Sequence, residues 1–308
     1  MCAASKSPAS TEPSVEVLKG TIQWYPGHIA KVERELKDRL AHVDVILNVL
    51  DARLPQTTFN QRVAAQLSPN KPMVLLLNKA DLADPAQTNL WVSQLETNER
   101  YTLVVPVTAT SPKARQRIIK AILDGAKPLL DKLVAKGLRR RPVRAALIGM
   151  PNVGKSTLIN MLVGKKKTQT GHRAGVTRGQ QWVSLHKDIQ LLDLPGLIPP
   201  QLESPEAGLK LASVFSVGDA AFDEETVAQY LIGKVEALYP GRLHQVYEVP
   251  EATELALKTL AEQRNLLMAG GVPDTKRMAQ MLLKDFRLNR WGGVTLEHEA
   301  TPFPGVSS

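Results

Sequence analysis

Short, almost wholly apolar runs alternate along this chain with longer stretches whose apolar residues recur every three or four positions. V-D-V-I-L-N-V-L ahead of Asp51, M-V-L-L-L ahead of Asn78 and T-L-V-V-P-V ahead of Thr108 have the length and composition of buried strands. V-R-A-A-L-I-G, ending at Gly149, is a fourth, and Trp182 to Leu185 and Ile189 to Leu192 add two more. Between them Gln61 to Leu67, Gln87 to Leu95 and Ala114 to Ala135 suit helices, and another opens at Lys155. A further helix precedes the first strand, where Ile29, Val32, Leu36 and Leu40 form one stripe behind the turn W-Y-P-G-H, Trp24 to His28. Strands alternating with helices predict an α/β fold, a doubly wound parallel sheet with helices on both faces.

Past L-P-G-L-I-P-P the period changes. Val227, Tyr230, Leu231, Val235 and Leu238 make one helical stripe. Met278, Met281, Leu282 and Phe286 make another, opened by Asp274 as its N-cap. The chain therefore divides into a disordered leader (1–20), an α/β domain (21–200), a helical domain (201–298) and a disordered tail (299–308). K-G-L-R-R-R-P at 136–142 reads as a basic linker, and no internal repeat stands out.

Composition narrows the class. A length of 308 residues supports two cores. No run reaches about 18 apolar residues, so no membrane span is expected, and the leader lacks the apolar centre of a secretory signal. The one cysteine, Cys2, excludes a disulfide or a cysteine-based zinc site within the chain and suits a reducing, cytoplasmic compartment. A net charge of +9 fits a polyanionic partner, or merely solubility.

The chemistry is announced at Gly149-Met-Pro-Asn-Val-Gly154-Lys155-Ser156, which fits G-x-x-x-x-G-K-S/T at every fixed position, after a strand and before a helix. Such a turn can be incidental, but strand, loop and helix are all in register for a phosphate cradle. Its binding set is Pro151, Asn152, Val153, Gly154, Lys155, Ser156 and Thr157, with backbone N–H groups and the helix terminus facing the phosphates. Lys155 would neutralise the outer phosphates and the Ser156 hydroxyl would hold Mg²⁺.

Asn78-Lys79-Ala80-Asp81 fits N-K-x-D. Alone it could be a helix N-cap; beside a P-loop it reads as a guanine site. The Asp81 carboxylate would accept from the ring N–H and exocyclic amine of guanine, a donor pair adenine lacks. Thr108-Ala109 resembles the short loop whose N–H meets the guanine carbonyl. Asp193-Leu-Pro-Gly196 fits D-x-x-G, with Asp193 reaching Mg²⁺ through water and the Gly196 N–H on the γ-phosphate. Thr177, in G-V-T-R, is the switch threonine for Mg²⁺ or else an ordinary loop residue. Together the motifs define a GTPase.

Their order is unusual. Ras-like enzymes place the P-loop first, whereas here N-K-A-D at 78 and T-A at 108 precede the P-loop at 149. The order is a circular permutation, with 136–142 as the join between former termini. The chain then runs from D-L-P-G straight into the helical segment, so a loop sensitive to the γ-phosphate is tethered to that segment.

Motif order, W-Y-P-G-H, D-A-R-L-P at 51–55 and D-F-R-L-N-R-W-G-G-V-T-L-E at 285–297 resemble the YlqF/RbgA subfamily of circularly permuted ribosome-biogenesis GTPases, over roughly residues 20–298. The resemblance implies a Mg²⁺-dependent GTPase acting late in assembly of the large ribosomal subunit, with a helical RNA-binding C-terminal domain. The protein is further expected to be monomeric off the ribosome. One departure is Ala174, where the subfamily commonly has proline before the glycine of the switch loop. Leu197 stands where Ras-like enzymes place the water-orienting glutamine and cannot hydrogen-bond water. The resemblance suggests His28 as the catalytic substitute; the plain alternative is a residue in a first helical turn. It also suggests Asn152 as a K⁺ ligand, the alternative being a turn-stabilising amide.

Basic residues cluster at Lys165, Lys166, Lys167, His172, Arg173 and Arg178, and again at Lys276, Arg277, Lys284, Arg287 and Arg290 beside Trp291. The second cluster is the expected RNA contact, with Trp291 stacking on a base. A GTPase in another RNA process such as tRNA modification, and a nucleotide-binding switch with little hydrolysis, remain open on sequence alone.

Overall fold

Six strands form one sheet in the computed structural model, which describes residues 40–60, 64, 71–98, 101–137, 141–164, 182–192, 204–216, 222–250 and 253–298. They are β1 (Val45–Asp51), β2 (Met73–Asn78), β3 (Leu103–Pro106), β4 (Val143–Gly149), β5 (Trp182–His186) and β6 (Ile189–Leu192). Their order across the sheet is β3-β2-β1-β4-β6-β5. Five run parallel, as the alternation of strand and helix predicts. The sixth corrects the wholly parallel expectation: β5 is antiparallel to β6. Only Lys187 and Asp188 separate these two strands, too few residues for a crossover, so the chain folds back as a hairpin.

All residues of β1 and β2 are buried, and their side chains divide by the period of two. Val45, Leu47, Val49, Val74 and Leu76 enter one core with Ile118 and Ile122 of helix α2 (Pro112–Ala135) and Leu158 and Leu162 of α3 (Lys155–Val163). Ile46, Leu50, Leu75 and Leu77 enter the other with Trp91 and Leu95 of α1 (Pro85–Glu96). Each such burial contributes roughly 1.5–3 kcal/mol. Helix α1 starts two residues ahead of the apolar pattern, because Asp84 accepts from the Ala86 and Gln87 N–H groups and Pro85 opens the first turn. The helix behind W-Y-P-G-H, apart from Leu40, and the one expected at 61–67, apart from Ala64, lie outside the described residues.

From Pro205 onward every regular element of the described residues is a helix: α4 (Pro205–Ser213), α5 (Glu224–Leu238), α6 (Arg242–Tyr247), α7 (Leu257–Gln263) and α8 (Thr275–Arg287). Asp274 caps α8 as expected, accepting from the Arg277 N–H at 3.0 Å. These helices do not form a separate core. Leu209, Leu231, Leu282 and Leu296 belong to the same continuous cluster as Val45 and Leu47.

After α8 the chain crosses to the sheet unit and binds it through backbone. The Val294 N–H donates to Leu82 O at 3.3 Å and the Leu296 N–H to Arg53 O at 2.9 Å. The Asp84 N–H donates to Thr295 Oγ1 at 3.1 Å, and Trp91 Nε1 donates to Glu297 O at 2.8 Å. The buried Glu297 carboxylate accepts the Gln56 N–H at 2.8 Å and the Thr57 hydroxyl. At the opposite end of the sheet, Arg141 of the basic linker grips Asp44 at 2.6 and 2.9 Å, anchoring the join of the permuted chain beside β1 and β4.

Gly293 marks how tightly this crossing segment is seated, because a Cβ there would collide with the Ala83 carbonyl. Gly293→Ala should therefore lower stability by about 1–3 kcal/mol. Gly233→Ala, inside α5 with open space at its Cβ, should instead raise stability by roughly 0.5–1 kcal/mol. Urea denaturation midpoints of the two variants check both signs.

Candidate nucleotide site

Strand order reverses between β1 and β4, and in open α/β sheets the crevice beyond the carboxyl ends of strands at such a point is where ligands bind. Register brings the relevant strand ends side by side: Val49 lies opposite Gly149, and Asp51 opposite Asn78. The P-loop leaves β4 at Gly149 and reaches α3 at Gly154, whose φ of 100° only glycine adopts easily. A Cβ on Gly149 would strike the Val49 carbonyl, and one on Gly154 the Asn78 amide. Both fixed glycines of the motif are thus required by packing as well as by phosphate approach.

Asn78 and Lys79 hold the P-loop against the guanine loop. Buried Asn78 Nδ2 donates to Val153 O at 2.8 Å, and Lys79 Nζ donates to Asn152 O at 2.7 Å. Lys79 and Asn152 both have φ near 60°, a left-handed conformation that costs a side-chain-bearing residue energy and is fixed here by these bonds. The Thr108–Ala109 loop joins them, because the Ala80 N–H donates to Val107 O at 3.1 Å. Asp81 is exposed on the loop that Asn78 and Lys79 anchor, so its carboxylate is free to meet a base.

Lys155 opens α3 and donates to Met150 O. Burial pushes its ammonium down from the ordinary lysine range to about 8. Ser156 and Thr157 follow, exposed on the first helical turn. The arrangement is a glycine-bounded turn leading into the N-terminus of α3, with one partly desolvated cation beside it. Asn152 Nδ2 donates to Phe215 O at 2.7 Å, beyond the end of α4.

Sequence reasoning assigned no role to Asp51 and Arg53 of D-A-R-L-P, which prove central. The Asp51 carboxylate is fully buried and bonds Arg53 Nε at 2.9 Å, Arg53 Nη2 at 2.8 Å and Lys79 Nζ at 2.9 Å. Burial alone would raise its pKa, but the Arg53 and Lys79 cations outweigh it and hold the carboxyl well below the usual range. The signal was available: an acidic residue at the carboxyl end of a central strand, next to the strand that feeds the P-loop.

His28, Thr177, Asp193, Gly196 and Leu197 lie outside the described residues, as do Lys165, Lys166, Lys167, His172, Arg173 and Arg178. Of the second basic cluster, Lys276, Arg277 and Lys284 are exposed on α8. Trp291 is a correction. It is 2% exposed, packs at 5.4 Å on Phe286 and donates to Tyr247 OH at 3.1 Å, so it belongs to the core and offers no face to a base. Arg287 is also engaged internally, donating to Ser213 O and Ala212 O at 3.1 and 2.9 Å, and Arg290 pairs with Asp285 at 2.7 Å.

Sheet order, P-loop and guanine loop together define a P-loop GTPase fold in permuted chain order. A family profile described as "50S ribosome-binding GTPase" matches residues 144–232. Ribosome biogenesis GTPase A of Bacillus cereus is 37% identical over 279 residues, covering 90% of this chain and 93% of the relative. The protein of the same name from Thermotoga maritima is 30% identical over 280 residues, covering 90% and 94%. Solved structures of YlqF, one bound to GDP and one from T. maritima bound to GNP, each superpose with a TM-score of 0.59 at 27% identity. They cover 86% and 87% of this chain, and 99% and 98% of their own. The chain belongs to the ribosome biogenesis GTPase A family, YlqF/RbgA.

The lowered Lys155 pKa makes nucleotide affinity pH-dependent. Phosphate binding favours the ammonium and raises its pKa in the complex, so protons are taken up on binding wherever free Lys155 is neutral. Affinity should be flat below about pH 8 and then weaken, approaching tenfold per pH unit, until the complex itself titrates. Isothermal titration of GDP between pH 7 and 10 measures the slope. The opposite sign applies to the free protein's stability, where the penalty of a buried ammonium disappears as pH rises from about 8 toward the ordinary lysine value.

Proposed function

We propose that this protein hydrolyses GTP to GDP and phosphate as an assembly factor of the large ribosomal subunit, acting late, in the cytoplasm, and leaving the particle on hydrolysis. The observation that carries the reading is the closure of the P-loop onto the N-K-A-D loop through Asn78–Val153 and Lys79–Asn152. It supports simultaneous recognition of phosphates and base in a chain of this family. The names of its relatives supply the ribosome.

Mg²⁺ suits the donor set. Ser156, Thr177 and Asp193 offer only hard oxygens, and these with phosphate oxygens are what that ion selects. The ion would neutralise charge on the β- and γ-phosphates. K⁺ would take Asn152 through Oδ1, since Nδ2 is engaged by Phe215 O. His28 orients the attacking water in place of the residue that Leu197 displaces.

RNA is the partner of residues 201–298, through the exposed Lys276, Arg277 and Lys284 of α8. Their contribution is electrostatic and weakens with salt. Off the ribosome the protein is a monomer.

GTP turnover measured in Mg²⁺ and K⁺ buffer, with and without purified large subunits, tests this reading. Large subunits should stimulate turnover strongly and small subunits should not. His28→Ala should remove about 10²–10⁴-fold of the stimulated rate while leaving GTP affinity nearly intact, the range expected for a lost proton-handling or water-orienting group. Tight GTP binding with no stimulation would favour the low-turnover binding switch. Unchanged stimulated turnover in His28→Ala would remove the histidine from the chemistry.

A further inference from the structure

Three residues at the end of α8 each hold a different part of the nucleotide site. Phe286 lies under the Arg53 guanidinium at 5.3 Å, and Arg53 bonds the carboxylate that carries Lys79. Arg287 lies over the Phe215 ring at 4.9 Å, and the Phe215 carbonyl holds the Asn152 amide of the P-loop. Asn289 Nδ2 donates to Asp81 O at 3.0 Å, on the residue whose carboxylate reads the base.

The local backbone is arranged for these contacts. Phe215 has φ of 66° and is 40% exposed, a left-handed, solvent-facing aromatic that helix packing alone would not select. Asn289, two residues past the end of α8, has φ of 60°, a conformation asparagine tolerates better than most residues. Helix α8 also carries Lys276, Arg277 and Lys284 outward. One rigid element therefore presents cations along its length and touches the nucleotide loops at its end.

We propose that Arg287 and Asn289 are positioning residues of the nucleotide site: Asn289 sets Asp81 for guanine discrimination, and Arg287 sets the P-loop through Phe215. An RNA that shifts α8 then changes nucleotide residence through these two contacts. The inference rests on the guanine-recognition reading of Asn78–Asp81 and adds to it the group that aims the aspartate.

The two contacts have separable signatures. Inosine diphosphate lacks the exocyclic amine of guanine and so forfeits one of the two bonds to Asp81. A merely structural role for Asn289 would change stability without changing the preference between the two nucleotides. Asn289→Gly keeps the left-handed backbone and removes the amide; Asn289→Asp keeps the shape but replaces the donor with a charged acceptor facing Asp81 O.

The experiment measures dissociation rates of GDP and inosine diphosphate from the full chain and its variants, with thermal unfolding as the check on folding. Both Asn289 variants should lose roughly tenfold of the preference for GDP, the size of one good hydrogen bond. Arg287→Gln should speed release of both nucleotides roughly tenfold and leave the preference intact, because phosphate contacts do not sense the base. Folded Asn289 variants that keep the wild-type preference, or an Arg287→Gln protein with wild-type release rates, would overturn the proposal while leaving the guanine site standing. A wild-type chain that does not prefer GDP would overturn the guanine reading itself, and this proposal with it.

Discussion

A carboxylate buried without water must be paired, and the Asp51 carboxylate is paired twice. Arg53 takes it with a two-pronged guanidinium contact and Lys79 with an ammonium at 2.9 Å. Removing one partner from such a group typically costs about 3–5 kcal/mol, because the remaining charge stays in the protein interior. That constraint fixes Lys79 in a left-handed backbone and aims its Nζ at Asn152 O, which draws the guanine loop onto the P-loop. It also fixes Arg53, whose backbone carbonyl receives the Leu296 N–H and whose guanidinium rests on Phe286. The nucleotide loops and the C-terminal helices therefore share one electrostatic anchor.

Permutation makes this sharing possible. Moving the former termini to 136–142 placed the join beside Asp44, at the opposite ends of the strands from the P-loop. The carboxyl end of β6 became free to lead into helices instead of returning to the sheet. Those helices pack into the core that lies under β1 and β4, and the final segment bonds the loop between β2 and α1 along its backbone. Chain order differs from the Ras-like arrangement while the spatial order of strands still presents one crevice.

Local chemistry decided what could be read from sequence. The P-loop, N-K-A-D and the cap Asp274 are local patterns, and residues within seven positions of each other determine them. Strands β1, β2 and β4 were legible because burial on both faces leaves almost no polar residue in them. The antiparallel turn of β5 was missed because the apolar pattern of a strand carries no direction; the two-residue spacing was the available clue. Trp291 was misassigned for a related reason. A tryptophan among arginines looks like a stacking platform in one dimension, but the fold brings Phe286 of α8 and Tyr247 of α6 against it. Phe215 and Asn289 became visible only in three dimensions, since their partners lie 63 and 208 positions away; Asp51 carried a sequence signal, but its pairing with Lys79, 28 positions on, did not.

The central claim is that the nucleotide loops and the end of α8 form one mechanical unit. Amide hydrogen exchange, compared in the nucleotide-free and GDP-bound protein, addresses it most directly. Binding should slow exchange at 286–297 as well as across the P-loop and at 78–84, because those residues are bonded to the loops that the nucleotide orders. Protection confined to the P-loop and the guanine loop, with 286–297 exchanging at the nucleotide-free rate, would contradict it.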